Sequence, residues 1–127
     1  MSLKGSIKVA GDKSITHRAI IFSSLSKGTT RIHEPLLGAD CISTLEIFKQ
    51  FGVKSELSKD CLIITSPGLE SFCYDQSILD AGNSGTTARL LMGVLSNLPA
   101  TLTLIGDESL SKRPMKRVTL PLSQMGA

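Results

Sequence analysis

Asp80-Ala81-Gly82-Asn83-Ser84-Gly85-Thr86-Thr87-Ala88-Arg89 is the stretch from which the fold is read. It follows the apolar pair Ile78-Leu79 and leads into Ala88, Leu91, Leu95 and Leu98 at helical spacing. A strand should therefore end at about Asp80 and a helix should open near Gly85. Two glycines let the backbone turn tightly and come close to a ligand. Ser84, Thr86 and Thr87 add hydroxyls beside the unpaired N–H groups of the new helix, and together these suit an anion. The same residues would also serve a plain tight turn with a Ser or Asn cap.

Two further loops have this form. Gly11-Asp12-Lys13-Ser14 follows the alternating Ile7-Lys8-Val9-Ala10 and precedes Ile15, Ala19, Phe22 and Leu25, which read as the apolar stripe of a helix. Ser14 and Arg18 are four apart and share one face of that helix. Lys13, Ser14 and Arg18 thus offer a point charge, a hydroxyl and a guanidinium fork, a set suited to carboxylate or phosphate. A phosphate-loop NTPase is excluded by spacing, because Asp12 separates Gly11 from Lys13. The third loop, Gly106 to Pro114, follows Leu102-Thr103-Leu104-Ile105 and carries the basic residues Lys112 and Arg113, with Lys116 and Arg117 beyond. Pro114 suits the first turn of a helix bearing Met115, Val118 and Leu122, and Pro121 predicts a kink or early stop in it. Asp12, Asp80 and Asp107 read as turn or cap residues rather than catalytic acids.

The order of elements predicts a mixed α/β chain with a repeat. Strand 6–10, helix 14–27, strand 29–34, helix 39–51 and strands 53–58 and 61–66 make one βαβαββ unit. Helix 39–51 is anchored by Cys41, Leu45, Phe48 and Phe51, with Gly52 at its C-terminal cap. Ser58-Lys59-Asp60 signals a hairpin, and Pro67-Gly68 ends it. Strand 77–80, helix 85–97, strand 101–106 and helix 114–125 begin a second unit whose closing hairpin is expected beyond the sequence.

Gly11-Asp12-Lys13-Ser14-Ile15-Thr16-His17-Arg18, the Gly-Asn-Ser-Gly-Thr-Thr loop and Lys112-Arg113-Pro114-Met115 together resemble the 5-enolpyruvylshikimate-3-phosphate synthase family, bacterial type. The resemblance runs from about Gly5 to Ala127, in the family's order, and covers only the N-terminal part of its members. It implies an α-β prism, an inside-out barrel of βαβαββ repeats, truncated here within the second. It also implies two domain assignments: residues 1–12 as first strand and crossover of the opposite domain, and 13–127 as an incomplete N-terminal domain awaiting a C-terminal one. The implied activity is transfer of enolpyruvyl from phosphoenolpyruvate to the 5-hydroxyl of shikimate 3-phosphate, with release of phosphate. By matching position, Lys13 contacts both substrates and acts in the chemistry. Ser14 and Arg18 join Lys13 on shikimate 3-phosphate, while Asn83, Gly85 and Arg113 join it around phosphoenolpyruvate. Glyphosate is the implied inhibitor at the phosphoenolpyruvate position, and no cofactor or metal is implied. The family's proton-handling acids lie in the part not represented, so these residues alone are expected to be inactive.

Composition agrees with a globular chain: 127 residues, 41% hydrophobic and 20% charged, with a net charge of +3. With no Trp, one Tyr and four Phe, the stacking surface of a single-strand nucleic-acid binder is missing. No apolar run approaches a membrane span and no signal peptide is visible, which predicts a cytoplasmic protein. Cys41, Cys61 and Cys73 are odd in number, lack metal-type spacing and are expected to be buried, inert thiols in a reducing compartment. His17 and His33 sit in no metal pattern, and His17 is expected to be a satisfied or solvated histidine bordering Arg18. Two other readings are a non-catalytic anion-binding module and the sister enolpyruvyl transferase acting on a UDP-linked amino sugar. The latter would carry Asn where Ser14 stands.

Overall fold

The computed structural model describes residues 3–127. Five helices and five strands follow in the order α1 (Lys13–Leu25), β1 (Gly28–His33), α2 (Ala39–Gln50), β2 (Lys54–Ser58), β3 (Cys61–Ser66), β4 (Ile78–Asp80), α3 (Gly85–Leu95), β5 (Thr103–Ile105), α4 (Glu108–Ser111) and α5 (Lys116–Gln124). A short 3₁₀ turn, Leu69–Ser71, lies between β3 and β4.

Short polar side chains set where the helices start. Asp12 Oδ1 accepts from the Ile15 amide at 2.7 Å and Ser84 Oγ accepts from the Thr87 amide at 3.0 Å, so each satisfies an amide that has no carbonyl within its helix. Asp107 does the same for α4 through Leu110, at 2.7 Å, and Asp80 Oδ1 takes the Gly82 amide at 2.8 Å. The turn and cap duties read for all three aspartates are what the structure shows. At the other end of α2, Phe51 is the C-cap and Gly52 follows it at φ 93°, a left-handed conformation that costs glycine little.

β3 is the centre of a three-stranded antiparallel sheet in the order β1-β3-β2. Gly28↔Ser66 through His33↔Cys61 sets the register on one side, and Lys54↔Thr65 through Ser58↔Cys61 on the other. The β2–β3 hairpin turns at Lys59-Asp60, as the sequence predicts. β4 and β5 form a separate parallel pair, Ile78↔Thr103 to Asp80↔Ile105, connected through α3. One face of the larger sheet lies under α1, and α2 spans from that helix to α3.

The core joins these layers: Ile20, Cys41, Leu45, Ile47, Phe48, Phe51, Leu62, Ile64, Leu79, Leu91 and Leu95 are buried together. Phe51 stacks on Phe72 with ring centroids 5.3 Å apart, and Phe48 meets both edge-on. Truncating a buried ring such as Phe48 to alanine would cost roughly 3–5 kcal/mol. All four anchors expected for α2 are in this core.

The expectation for α1 is overturned. Ile15 and Phe22 are 64% exposed, and the buried face is Thr16, His17, Ile20, Ile21, Ser23 and Ser24. The helix packs a mixed polar stripe inward because Thr16 and His17 find partners there, while the Ser24 hydroxyl is buried with none among the described residues. Thr16 Oγ1 takes the Leu36 amide at 3.0 Å, and the Ser24 carbonyl accepts from Ser66.

Three further expectations change. The strand at 6–10 does not form: residues 3–12 have no helix or strand, and among the described residues no strand edge runs beside them. A strand needs a ladder partner; here Lys8 pairs with Glu34 instead, and Gly11 passes so close to the backbone of residues 34–36 that a side chain would strike the Glu34 carbonyl. Pro114 does not open α5, which starts at Lys116 after the cap residue Met115, and α4 occupies part of the intervening loop. Pro121 lies inside α5 without ending it. No residue of α5 is buried, so a carbonyl deprived of its intrahelical donor is open to water.

Candidate functional site

The helix-opening loops place their polar residues in two groups. The first stands at the start of α1. Lys13 Nζ lies 3.2 Å from Asp40 Oδ2 at the start of α2, and Ser14 and Arg18 are exposed on the first turns of the same helix. With side chains 52% and 30% exposed, the Lys13–Asp40 pair is screened and contributes at most about 1 kcal/mol to folding. Its consequence is positional: the ammonium is held at the mouth of two helix N-termini.

The second group gathers around Gly85, the buried first residue of α3. Asn83 Nδ2 donates to Asp107 Oδ2 at 2.6 Å, and Arg113 Nη2 donates to Asn83 Oδ1 at 3.2 Å. Arg89, one helical turn after Gly85, reaches the Gly85 and Pro114 carbonyls at 3.4 Å each. A Cβ on Gly85 would stand 2.7 Å from Arg89 Nη1 and 3.0 Å from Arg113 Nη1. The absent side chain is thus what lets two guanidinium groups converge on the N-terminus of α3. Gly85 has no positive φ, so its role is close approach and not conformation. None of the ion pairs among the described residues uses Arg89 or Arg113. Asp107, which accepts backbone N–H from Leu110 and the Asn83 amide, is held below the usual carboxylate range by those bonds.

A buried polar core lies between the helices. His17, fully buried, faces Thr44 Oγ1 at 2.7 Å, the Asp40 carbonyl at 3.1 Å and Thr87 Oγ1 at 3.3 Å, all through Nε2. Burial pushes the His17 pKa down; Asp40 opposes that shift and Lys13 adds to it.

Of the residues expected at the site, Asn83, Gly85 and Arg113 meet directly, and Lys13, Ser14 and Arg18 share one helix start. Arg89 and Asp40 escaped the sequence reading. Arg89 stands at i+4 from Gly85, the same relation that links Ser14 to Arg18, so its signal was present. Asp40 is 27 residues from Lys13, and no local pattern links them. The thiols differ from expectation too: Cys41 is buried and its pKa raised by burial, whereas Cys61 is half-buried and Cys73 exposed. Cys73 sits in an irregular segment after the 3₁₀ turn, where Phe72 goes inward and its neighbour outward.

The profile of EPSP synthase (3-phosphoshikimate 1-carboxyvinyltransferase) matches residues 1–127, the entire sequence. The chain belongs to the EPSP synthase family. The 3-phosphoshikimate 1-carboxyvinyltransferase of Bacillus velezensis is 50% identical over 126 residues, 99% of this chain and 29% of its own. That of Streptococcus suis is 52% identical over 124 residues, with 98% and 29% covered. EPSP synthase from Acinetobacter baumannii superposes with a TM-score of 0.90 at 43% identity, over 97% of this chain and 28% of that one. The mixed α/β architecture is therefore that of an EPSP synthase segment, and this chain spans a little under a third of the length of such relatives. No helix among the described residues is long and apolar enough to cross a membrane.

Proposed function

We propose that these residues form the N-terminal part of a transferase that moves enolpyruvyl from phosphoenolpyruvate to the 5-hydroxyl of shikimate 3-phosphate and releases phosphate. The observation that carries this reading is the convergence of Arg89 and Arg113 on the side-chain-free Gly85, together with a second cationic group, Lys13 and Arg18, on the first turns of α1. Two multiply anionic substrates need two such places, and charge developing on a departing phosphate needs preplaced cations. Ser14 and Arg18 hold shikimate 3-phosphate. Asn83, Gly85 and Arg113 hold phosphoenolpyruvate, and Lys13 serves both and acts in the reaction. Glyphosate, an anion bulkier than phosphoenolpyruvate at that edge, competes at the Gly85 place. The reaction requires no cofactor and takes place in the cytoplasm. Residues 13–127 belong to the N-terminal domain and 1–12 cross to its partner domain, which supplies the remaining wall of the cleft. The unpaired segment 3–12 and its exposed Ile7 and Val9 support that division.

A chimera tests the reading: these residues replace the matching segment of the Bacillus velezensis relative, and phosphate release is followed with both substrates present. Turnover that disappears with Lys13→Ala is the expected result. A folded chimera that binds neither substrate would defeat the proposal. The 127 residues alone should show no turnover, because catalysis by differential binding draws on charges from both walls.

A further inference from the structure

We infer that His17 is a positioning residue: as a neutral ring carrying its proton on Nε2, it ties the starts of α1, α2 and α3 together and so sets the spacing of the two cationic groups. The inference rests on the proposed function only in taking those groups as the substrate loops.

The geometry chooses the tautomer. Nε2 is 3.1 Å from the Asp40 carbonyl oxygen, which can only accept, so a bare Nε2 would put two lone pairs face to face. With the proton there, Nε2–H donates to Thr44 Oγ1 at 2.7 Å and toward that carbonyl. Nδ1 is buried without a hydrogen-bond partner among the described residues. A proton on it would be an orphaned buried donor, which disfavours both the other tautomer and the imidazolium.

The ring begins a relay through three elements. Thr44 Oγ1 lies 2.9 Å from Thr87 Oγ1, and the Thr87 hydroxyl is shared between the Asp40 carbonyl at 3.0 Å and Ser84 Oγ at 2.7 Å. Ser84 is the N-cap of α3, immediately before Gly85, and Asp40 is the residue that holds Lys13. His17 itself sits one turn along α1 from Lys13 and one residue before Arg18. Arg18 and Gly85 thus each stand one residue from a member of this buried network, and Lys13 is paired with a third, Asp40. Thr44, Thr87 and His17 are fully buried, so no water competes for these bonds. An apolar core could pack the same helices, yet only directed bonds fix their translation along one another.

The test uses the chimera with inorganic phosphate as probe, read by amide chemical shifts of Lys13, Ser14, Gly85 and Thr86. Histidine nitrogen shifts report the tautomer. His17→Leu and Thr44→Val should remain folded but weaken phosphate by roughly tenfold, the equivalent of one buried hydrogen bond. His17→Gln, whose amide can donate where Nε2–H does, should stay within roughly twofold. Thermal midpoints measured alongside separate the two effects: lower midpoints with unchanged affinity in His17→Leu and Thr44→Val would mean a purely structural role and overturn the inference. So would a proton on Nδ1. If the unaltered chimera does not bind phosphate, the anion-site reading fails by itself. The inference is then decided by the tautomer and by the amides of Thr86 and Thr87, which should move in His17→Leu and stay in place in His17→Gln.

Discussion

Asn83 Nδ2 donates to Asp107 Oδ2 at 2.6 Å across 24 residues, so the loop that opens α3 is fastened to the loop that opens α4. The same asparagine receives Arg113 through its oxygen, at 3.2 Å. One amide therefore orients the guanidinium, and the carboxylate fixes which way the amide faces.

Asp107→Ala should release this arrangement. It removes the α4 cap and the Asn83 tie together, and so lowers stability. Amide exchange should speed up at Leu110 and around Arg113 while α1 stays protected. Because the Asp107 pKa is depressed on folding, its contribution is present above the unfolded value near 3.8 and fades as pH falls through the lower folded value. Unchanged exchange at Leu110 in the variant would contradict this.

Gly85→Ala should separate the two cationic groups. Its methyl meets the ends of Arg89 and Arg113, which are flexible, so folding should change by no more than about 1 kcal/mol. Displacing both guanidinium groups should weaken phosphoenolpyruvate several-fold in the chimera and glyphosate more strongly, since a bulkier ligand has less room. Shikimate 3-phosphate should bind as before. Inhibition constants and both KM values decide; loss of shikimate 3-phosphate with intact glyphosate inhibition would mean the substrates were assigned to the wrong loops.

Stability should fall with acid in a window set by His17. The unfolded chain protonates near the ordinary value of 6.5, whereas the buried ring, facing Asp40 and Lys13 but no acceptor at Nδ1, takes a proton only at lower pH. Between those values the unfolded state binds more protons, so stability declines as pH drops through 6.5 and levels off below the folded value. Urea midpoints from about pH 8 to about pH 5 for the parent and His17→Gln should differ in slope over that range. Parallel curves would refute the claim.

The chain on its own should self-associate. Ile7 is 90% exposed, and Ile78, Ile105, Leu120 and Met125 leave further apolar surface on the β4–β5 pair and α5. Such area is ordinarily covered by a partner or a neighbouring domain. Sedimentation over a concentration series should show rising mass; a monomer throughout would mean these surfaces tolerate water.

Local chemistry was legible in the residues. Gly/Ser/Asp clusters announced the starts of α1 and α3, the three aspartates declared themselves caps or turns, and Phe48 and Phe51 marked the inward face of α2, because each depends on neighbours within a few residues. Tertiary structure decided what lies across the chain. The apolar spacing of Ile15 and Phe22 pointed to the wrong face of α1, since Thr16 and His17 become good interior residues only when Leu36 and Thr44 arrive to bond them. The alternating segment 6–10 reads as a strand but forms none among the described residues, since a strand exists only when another edge pairs with it. Asp40 joined the site through packing of helices whose contacts have no counterpart in sequence spacing, whereas the i+4 relation of Arg89 to Gly85 lay within the sequence. Caps and turns are written in adjacent residues; partners of buried polar groups are chosen by the fold, because satisfying them requires atoms tens of residues away.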